Sequence, residues 1–466
     1  MRRKLSEEGK RLLRHALTHE DLEDEEDTRG AEHTSVDYSV VTNVDDSSAE
    51  SDLEGFSEWQ QGGILANGKK KKGGRRGKLR EQLEGDETHD ELEEALEKLA
   101  EKRDTTKIQA LQKILTILRS AVLTNRLHGS LATSVTSQVL LTLKKRMTES
   151  GTLSLRALGV LAVTLGPDEQ AFYDELVQPL QRLLMDQTET ALRIEAAYAL
   201  SIACTVCCRE EQQKWELVDV LGGLLVGAHD AEESGDSEGE LPDELLTTVM
   251  ECWAFLISAF SPNTIVARLR DPDAIISDHV DALAGFVRDR VDPLVRSAAC
   301  EVLALLIQLK YTTTKTTWTY EMEDPDGPLG GLDVKIARYM RESAKCIGKK
   351  NRKVQRSMLK EVLETLHSGE GPHSDLQIEG ETLSITTWSR YFQANVLRRA
   401  LQSGFQIHLY ENPVLRDVFE VSDKSDAKER MIPIVRRRAD HRSKAIHRRN
   451  DISRKDAVQN AFLYDG

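Results

Sequence analysis

Residues 191–208 have the sequence ALRIEAAYALSIACTVCC, in which the pair Leu192-Arg193 leads a helix-length run of small and aliphatic residues. The apolar residues three, four, six and seven positions after Arg193 fall on one tightly packed helical face. Similar leading residues recur along the chain at Lys107, Leu155-Arg156, Thr248-Val249 and Val295-Arg296. Because small residues let helices approach closely, each helix pair can bury this face by stacking on its neighbour.

The leading residues are 49, 37, 56 and 47 positions apart. These intervals lie near the ~40–47 residues of HEAT and armadillo repeats once an insertion is placed in the longest one. The insertion is residues 229–243, HDAEESGDSEGELPD, which contain seven acidic residues and no Lys or Arg. We therefore predict an all-α fold, an armadillo/HEAT-like α-solenoid, with residues 229–243 as a surface loop.

The composition of the chain indicates four segments. We predict a disordered charged arm at 1–84, an armadillo-like helical repeat domain at 85–371, a small C-terminal helical module at 372–423 and a basic tail at 424–466. The arm has few large aliphatic residues and strong charge blocks, which is typical of disorder. The tail also has little aliphatic content to bury, so we expect it to become helical only when bound to a partner.

The C-terminal module contains a predicted helix at residues 388–402, with Ser403-Gly404 as its stop signal. Asn412-Pro413 predicts a turn before a second short apolar helix. About 50 residues are too few for an independent core. We therefore expect this module to dock onto the end of the array.

The formal net charge of −15 is unevenly distributed. Residues 20–58 hold fifteen Asp and Glu against the single Arg29, whereas residues 424–455 hold twelve Lys and Arg against four acidic residues. The run KKKKGGRRGKLR at residues 69–80 resembles a nuclear localisation signal or a nucleic-acid patch, and Ser47 and Ser51 resemble acidophilic kinase sites. Short charge runs of this kind are more often solvated linkers than signals.

Sequence signals for catalysis or metal binding are incomplete. Cys204, Cys207 and Cys208 lack the second ligand pair of a zinc site, and their apolar surroundings favour buried, reduced thiols. His15 and His19 lack the intervening glutamate of a metalloprotease helix, and the glycine-rich stretch ending at Lys69 lacks the Ser/Thr of a phosphate loop. We predict no enzyme activity, no metal and no cofactor.

Basic residues form two clusters. The first, near the end of the predicted array, contains Lys345, Lys349, Lys350, Arg352, Lys353 and Arg356. The second, in the tail, contains Arg436, Arg437, Arg438, Arg442, Lys444, Arg448, Arg449, Arg454 and Lys455. Arginine suits phosphate because its planar fork donates two hydrogen bonds. Both clusters predict binding to ribosomal or other RNA, with a solubilising tail or a nuclear signal as the alternative.

Four stretches carry a resemblance to a known family: residues 191–208, 295–309, 349–366 and 401–421, the last reading LQSGFQIHLYENPVLRDVFEV. The sequence resembles the interferon-related developmental regulator family. The resemblance implies an armadillo-like domain, a short C-terminal domain and a non-enzymatic regulatory role.

The resemblance also implies two functions. One is occupation of idle ribosomes to repress translation, with the helical domain in the tRNA sites and a C-terminal helix in the mRNA channel. The other is a nuclear transcriptional co-regulator working with histone deacetylase complexes. The expected partner is therefore the ribosome or a regulator protein, without a membrane or small-molecule substrate, in the cytoplasm with the nucleus left open. The tail departs from the family pattern at Pro433, Asp440 and Asp451.

Overall fold

The structure is a computed structural model. It describes residues 88–421 except 124–128, 145–146, 168, 187–188, 236–240, 272–273, 289–290, 316–328, 343–348 and 379–380. The predicted disordered arm and basic tail lie outside the described residues.

Helices make up almost all of the described chain. α1 covers residues 88–99. It is followed by α2 (Asp104–Ser120), α3 (Ser130–Leu143), α4 (Thr148–Leu165), α5 (Gln170–Met185), α6 (Thr190–Cys207), α7 (Glu211–Ser234), α8 (Asp243–Ile257), α9 (Pro262–Leu269), α10 (Ile276–Gly285), α11 (Pro293–Thr314), α12 (Leu332–Glu342) and α13 (Lys349–Ser368). The predicted all-α solenoid is confirmed.

The helices stack in two layers. One layer, which we call the ladder, consists of α2, α4, α6, α8, α11 and α13, each packed against the next. The other layer consists of α3, α5, α7, α9 with α10, and α12, each packed against the ladder helix that follows it. α8 and α9 meet at an angle of 115°, which places the short α9 in the outer layer. The leading residues found in the sequence all lie on ladder helices.

Neighbouring ladder helices run parallel. Near their starts, Gly151 of α4 packs against Leu192 of α6, and Gly159 continues the contact further along. Near their ends, the Cys207 Sγ donates a hydrogen bond to the Ala162 carbonyl at 3.6 Å. Small residues at these positions allow the close approach that the sequence pattern predicted.

Two of the leading arginines tie a ladder helix to the chain segment just before it. Arg193 Nε donates to the Leu184 carbonyl at 2.9 Å, and Arg296 Nη2 donates to the Val291 carbonyl at 3.0 Å. Leu184 lies in the last turn of α5, where helical carbonyls have no partner within their own helix. At these two positions the leading arginine thus forms a hydrogen bond, in addition to the packing made by the small residues that follow it.

The C-terminal module begins with a feature that helical periodicity did not predict. Strands β1 (Ser374–Ile378) and β2 (Glu381–Ile385) pair in antiparallel register. α14 (Trp388–Leu401), a 3₁₀ turn (Gln402–Gly404), α15 (Phe405–Glu411) and α16 (Pro413–Val418) follow. The helices agree with the predicted module, and the Asn412 side chain caps α16 as the Asn-Pro turn indicated.

Residues 388–419, which we call the strap, lie along the ladder. α14 packs against α4, α6, α8 and α11, and α15 reaches back to α2 near the start of the array. The expectation that this module docks onto the array's end is therefore wrong. The ladder helices have a second apolar face away from the outer layer, and the strap covers it.

The predicted surface loop at 229–243 is also partly wrong. α7 continues through Ser234, because Ala228 and Ala231 extend its buried face. The His229 ring is largely buried and packs edge-on against Phe286. Gly235 is the C-cap of α7, and Asp243 already begins α8.

Trp388 anchors the strap and gives a stability prediction. Its side chain is fully buried, its Nε1 donates to Thr365 Oγ1 at 2.8 Å, and its backbone N–H donates to Gln308 Oε1 at 2.7 Å. We expect Trp388→Ala to cost about 3–5 kcal/mol and to lower the midpoint of urea unfolding. Leu141→Ala, at a position 52% exposed, should change stability by less than ~0.5 kcal/mol. Equal midpoints for the two variants would contradict this anchoring role.

Gly404 is needed for close approach rather than for its backbone angle. Its φ is −78°, whereas Gln402 takes the left-handed φ of 48°. A Cβ at Gly404 would overlap the Arg119 carbonyl of α2. We expect Gly404→Ala to lower the thermal midpoint. Gly223→Ala, at an exposed and open position in α7, should raise stability by ~0.5–1 kcal/mol through helix propensity, and midpoints that move in the same direction would contradict this account.

Candidate nucleic-acid interface

The first basic cluster of the sequence lies at the start of α13. Lys349, Lys350, Arg352 and Lys353 fall in its first turns, with side chains outside the described part, and Arg356 is half-buried. Lys345 lies outside the described residues. So do all the tail candidates, Arg436, Arg437, Arg438, Arg442, Lys444, Arg448, Arg449, Arg454 and Lys455. Their assignment to RNA binding remains a prediction.

Packing fixes the position of this basic half of α13. The second half buries an apolar stripe formed by Met358, Leu359, Val362, Leu363 and Leu366. At the junction between the two halves, Gln355 Nε2 donates to Ser297 Oγ at 2.9 Å and to the Tyr339 hydroxyl at 2.6 Å. Because Ser297 and Tyr339 belong to α11 and α12, the basic turns are held where three helices meet at the end of the array.

The preceding helix adds bases that the sequence analysis missed. Lys335, Arg338 and Arg341 recur every three residues on α12, with Arg338 and Arg341 exposed and Lys335 half-buried. Burial lowers the pKa of Lys335, and the positive charges of Arg288 and Arg338 lower it further. The side chains are thus close enough to repel one another, and they form a cationic surface beside α13.

One positive charge near Lys335, that of Arg288, is neutralised by an ion pair. Arg288, in the turn after α10, pairs with Glu233 of α7 at 2.6 Å between Nη1 and Oε1. We define the α12–α13 corner as Lys335, Arg338, Arg341 and the basic start of α13. The spacing of three in LDVKIARYMRE was the sequence signal for the α12 bases, but no dense run accompanies it.

A second concentration of charge is closed off between the strap and the ladder. Glu195 of α6 accepts hydrogen bonds from Arg399 at 2.8 Å and from Arg156 at 2.9 Å. The Arg399 guanidinium lies 4.1 Å from the centre of the Tyr198 ring, and the Tyr198 hydroxyl donates to Glu251. Burial raises the pKa of Glu251. These groups satisfy one another, so this cluster holds the strap rather than offering a site to a ligand.

The cysteines pack as the sequence predicted. Cys204, Cys207 and Cys208 are buried at the end of α6. Burial raises the pKa of Cys207, whereas a hydrogen bond from Cys204 lowers the pKa of Cys208 to about 7. Within the described residues, a grouping of His89, Asp90 and Glu93 on α1 has metal-ligand spacing, and it is an open surface cluster.

α6 is long and apolar enough to cross a membrane, and 72% of it is buried in the protein. Its apolar circumference follows from its place between two layers, because a helix covered on both sides must be apolar on both sides.

Glu301 makes the stability of the strap interface dependent on pH. Burial raises its pKa to about 8, and the Tyr391 hydroxyl of α14 donates to it at 3.3 Å. A raised pKa means that the folded state binds more protons than the unfolded state from about pH 4.5 upwards, so stability falls as pH rises towards 8. Between pH 7 and 8 we expect wild type to lose roughly 1 kcal/mol through this group.

Urea midpoints measured across this interval test the assignment. Glu301→Gln cannot ionise and should lack this loss, so its stability should change by about 1 kcal/mol more favourably than that of wild type between pH 7 and 8. Glu364→Gln, at an exposed position on α13, should retain the wild-type slope. An unchanged slope in Glu301→Gln would assign the pH dependence to another group.

Comparison with known proteins identifies the array. The sequence model of the family described as Interferon-related developmental regulator (IFRD) matches residues 65–367, more than half of the chain. Interferon-related developmental regulator 2 of Mus musculus is 28% identical over 291 residues, covering 59% of this chain and 60% of the mouse protein. Interferon-related developmental regulator 1 of Rattus norvegicus is 23% identical over 354 residues, covering 73% of this chain and 74% of the rat protein.

The chain thus spans less than two thirds of the mouse relative's length and about three quarters of the rat relative's. The family match ends in the last turn of α13, so it contains the α12–α13 corner and stops before the strap. The chain belongs to the interferon-related developmental regulator family, a family of regulators.

Proposed function

We propose that this protein is a non-enzymatic translational regulator that binds ribosomes through RNA and represses translation by occupying idle particles. The observation that carries the proposal is the α12–α13 corner, where the exposed bases of α12 lie on a helix packed against α13, whose first turns carry the basic run. Lys and Arg bind the phosphate backbone irrespective of sequence and contribute a salt-dependent affinity. Such recognition suits a factor that holds ribosomes without reading a particular message.

The strap supports this assignment of the binding surface. Solenoids generally bind partners along the broad face of one layer. Here the ladder face is occupied by the chain's own residues 388–419, which are joined to it by Arg399, Trp388 and Asn412. An extended peptide partner would have to displace these contacts. The α12–α13 corner lies at the opposite end of α13 from Thr365, where Trp388 is attached, and keeps exposed bases.

Co-sedimentation with purified small ribosomal subunits tests the corner. We expect the triple variant Lys335→Glu, Arg338→Glu, Arg341→Glu to bind more weakly at moderate salt. The slope of log affinity against log salt should fall by about one for each phosphate contact that is lost.

A charge-matched control separates local contact from overall charge. Lys98→Glu, Arg209→Glu and Lys315→Glu change three exposed bases elsewhere by the same total charge. Equal losses in both triple variants would mean that overall charge alone governs binding. Association that resists high salt and survives the corner variant would instead favour the alternative function, a transcriptional co-regulator that binds other proteins. Deletion of residues 424–466 measures the contribution of the tail separately.

A further inference from the structure

A cleft opens in the outer layer where α7, α9 and α10 meet. Its volume is about 460 Å³, and ligand pockets usually measure ~300–1,000 Å³. Trp215 and Asp219 of α7 line it, together with Arg268 and Asp271 from the end of α9 and the turn after it, and Ile275 from the start of α10. The strap packs on the ladder helices, on the side away from the outer layer. The cleft and the strap therefore lie on opposite sides of the ladder.

Stacking holds the Arg268 guanidinium in one orientation. The buried Trp215 ring packs against Phe260, with 4.2 Å between the ring centroids. The Cζ atom of Arg268 lies 4.1 Å from the centre of the Trp215 ring. Two groups so close to one ring occupy its opposite faces, so the three side chains form a stack. An ordered guanidinium loses little conformational entropy when it donates hydrogen bonds to a ligand.

Asp219 lies near this guanidinium without pairing with it. Among the residues that the structure describes, neither Asp219 nor Arg268 has a hydrogen-bond or ion-pair partner. Burial raises the pKa of the half-buried Asp219, and the positive charge of Arg268 partly opposes this shift. Arginine only donates hydrogen bonds and a carboxylate only accepts them. The gap between the two groups therefore suits a ligand with an acceptor for Arg268 and a donor for Asp219.

The charge around the cleft selects the kind of ligand. The cleft and the helical turns next to it carry four acids against two bases, because Lys214 lies towards Cys208 instead. A phosphate backbone would meet more repulsion than attraction here, whereas a peptide main chain is neutral and a Lys or Arg side chain is attracted. The acids are Glu216, Asp219, Asp271 and Asp278, and the bases are Arg268 and Arg270.

We propose that this cleft binds an extended basic segment of a partner protein. A main-chain carbonyl of the segment accepts hydrogen bonds from Arg268, and a Lys or Arg side chain donates to Asp219. Ile275, which is 55% exposed at the cleft, packs against an apolar side chain of the segment. The inference goes beyond the proposed function and is independent of it, because it uses none of the residues of the α12–α13 corner.

Fluorescence anisotropy of labelled octapeptide pools with the full-length protein tests the proposal. The pools carry Leu-Lys, Leu-Glu or Gly-Lys at the centre and mixtures of Ala, Ser and Gly elsewhere. We expect the Leu-Lys pool to bind most tightly and Asp219→Asn to weaken its binding by about tenfold, as for the loss of a charged hydrogen bond. Asp230→Asn, the same substitution at a 72% exposed position of α7, should bind like wild type.

A second variant does not depend on the half-buried carboxylate. Ile275→Ser changes an exposed side chain, so it should leave the thermal midpoint unchanged. We expect it to weaken binding of the Leu-Lys pool severalfold and to leave the weaker Gly-Lys pool unaffected. A loss for the Leu-Lys pool alone places the apolar residue of the segment at Ile275.

Three results would overturn the proposal. One is the absence of binding between wild type and the Leu-Lys pool. Another is equal binding of the Leu-Lys and Leu-Glu pools, or an Asp219→Asn variant that behaves like Asp230→Asn. The third is a short poly(U) strand that displaces the Leu-Lys pool from wild type and binds Arg268→Gln more weakly, because the cleft would then take RNA. None of these results bears on co-sedimentation with ribosomal subunits, so the proposed function is judged separately.

Discussion

Burial of the ladder on two sides is the constraint on which the rest of the structure depends. An ordinary surface helix needs one apolar stripe, but a helix between two layers needs apolar residues around most of its circumference. α6 meets this requirement through a nearly continuous buried run that ends in Cys204 and Cys207. Burial contributes about 25 cal/mol per Å² of apolar surface, so a ladder exposed on one side would lose a large part of its stabilisation. The strap is therefore part of the core rather than an appendage.

Polar groups determine where the strap lies on that apolar face. Apolar contacts alone do not fix the position of the strap along this face. Three hydrogen bonds do so: Arg399 donates to Glu195 of α6, Gln393 to the Ser258 carbonyl after α8, and Trp388 to Thr365 of α13. Buried ion pairs contribute little net stability because desolvation offsets their attraction. Removing one partner is nevertheless costly, since it leaves a charge or donor unsatisfied. These pairs consequently specify the strap's register more than they strengthen its attachment.

Local patterns predicted the ladder well but gave little indication of the strap or the full basic surface. The aliphatic-arginine spacing reflects contacts between neighbouring repeats. Because these contacts recur along the array, they produce a periodic pattern in the sequence. The contact between Arg119 and the Ala400 carbonyl joins residues 281 positions apart and occurs once, so periodicity cannot reveal it. The basic start of α13 was evident as a dense run. Lys335, Arg338 and Arg341 were missed because they become one surface only when α12 packs beside α13.

Net charge also conceals how an acidic protein can attract a polyanion. Electrostatic interactions between exposed charges decay over a Debye length of ~8–10 Å at physiological salt. The exposed carboxylates of Asp243 and Glu244 at the start of α8 lie two ladder steps, or roughly 16–20 Å, from the start of α13. At that separation they scarcely weaken a phosphate contact at the α12–α13 corner. An acidic mean charge and a locally cationic corner are therefore compatible.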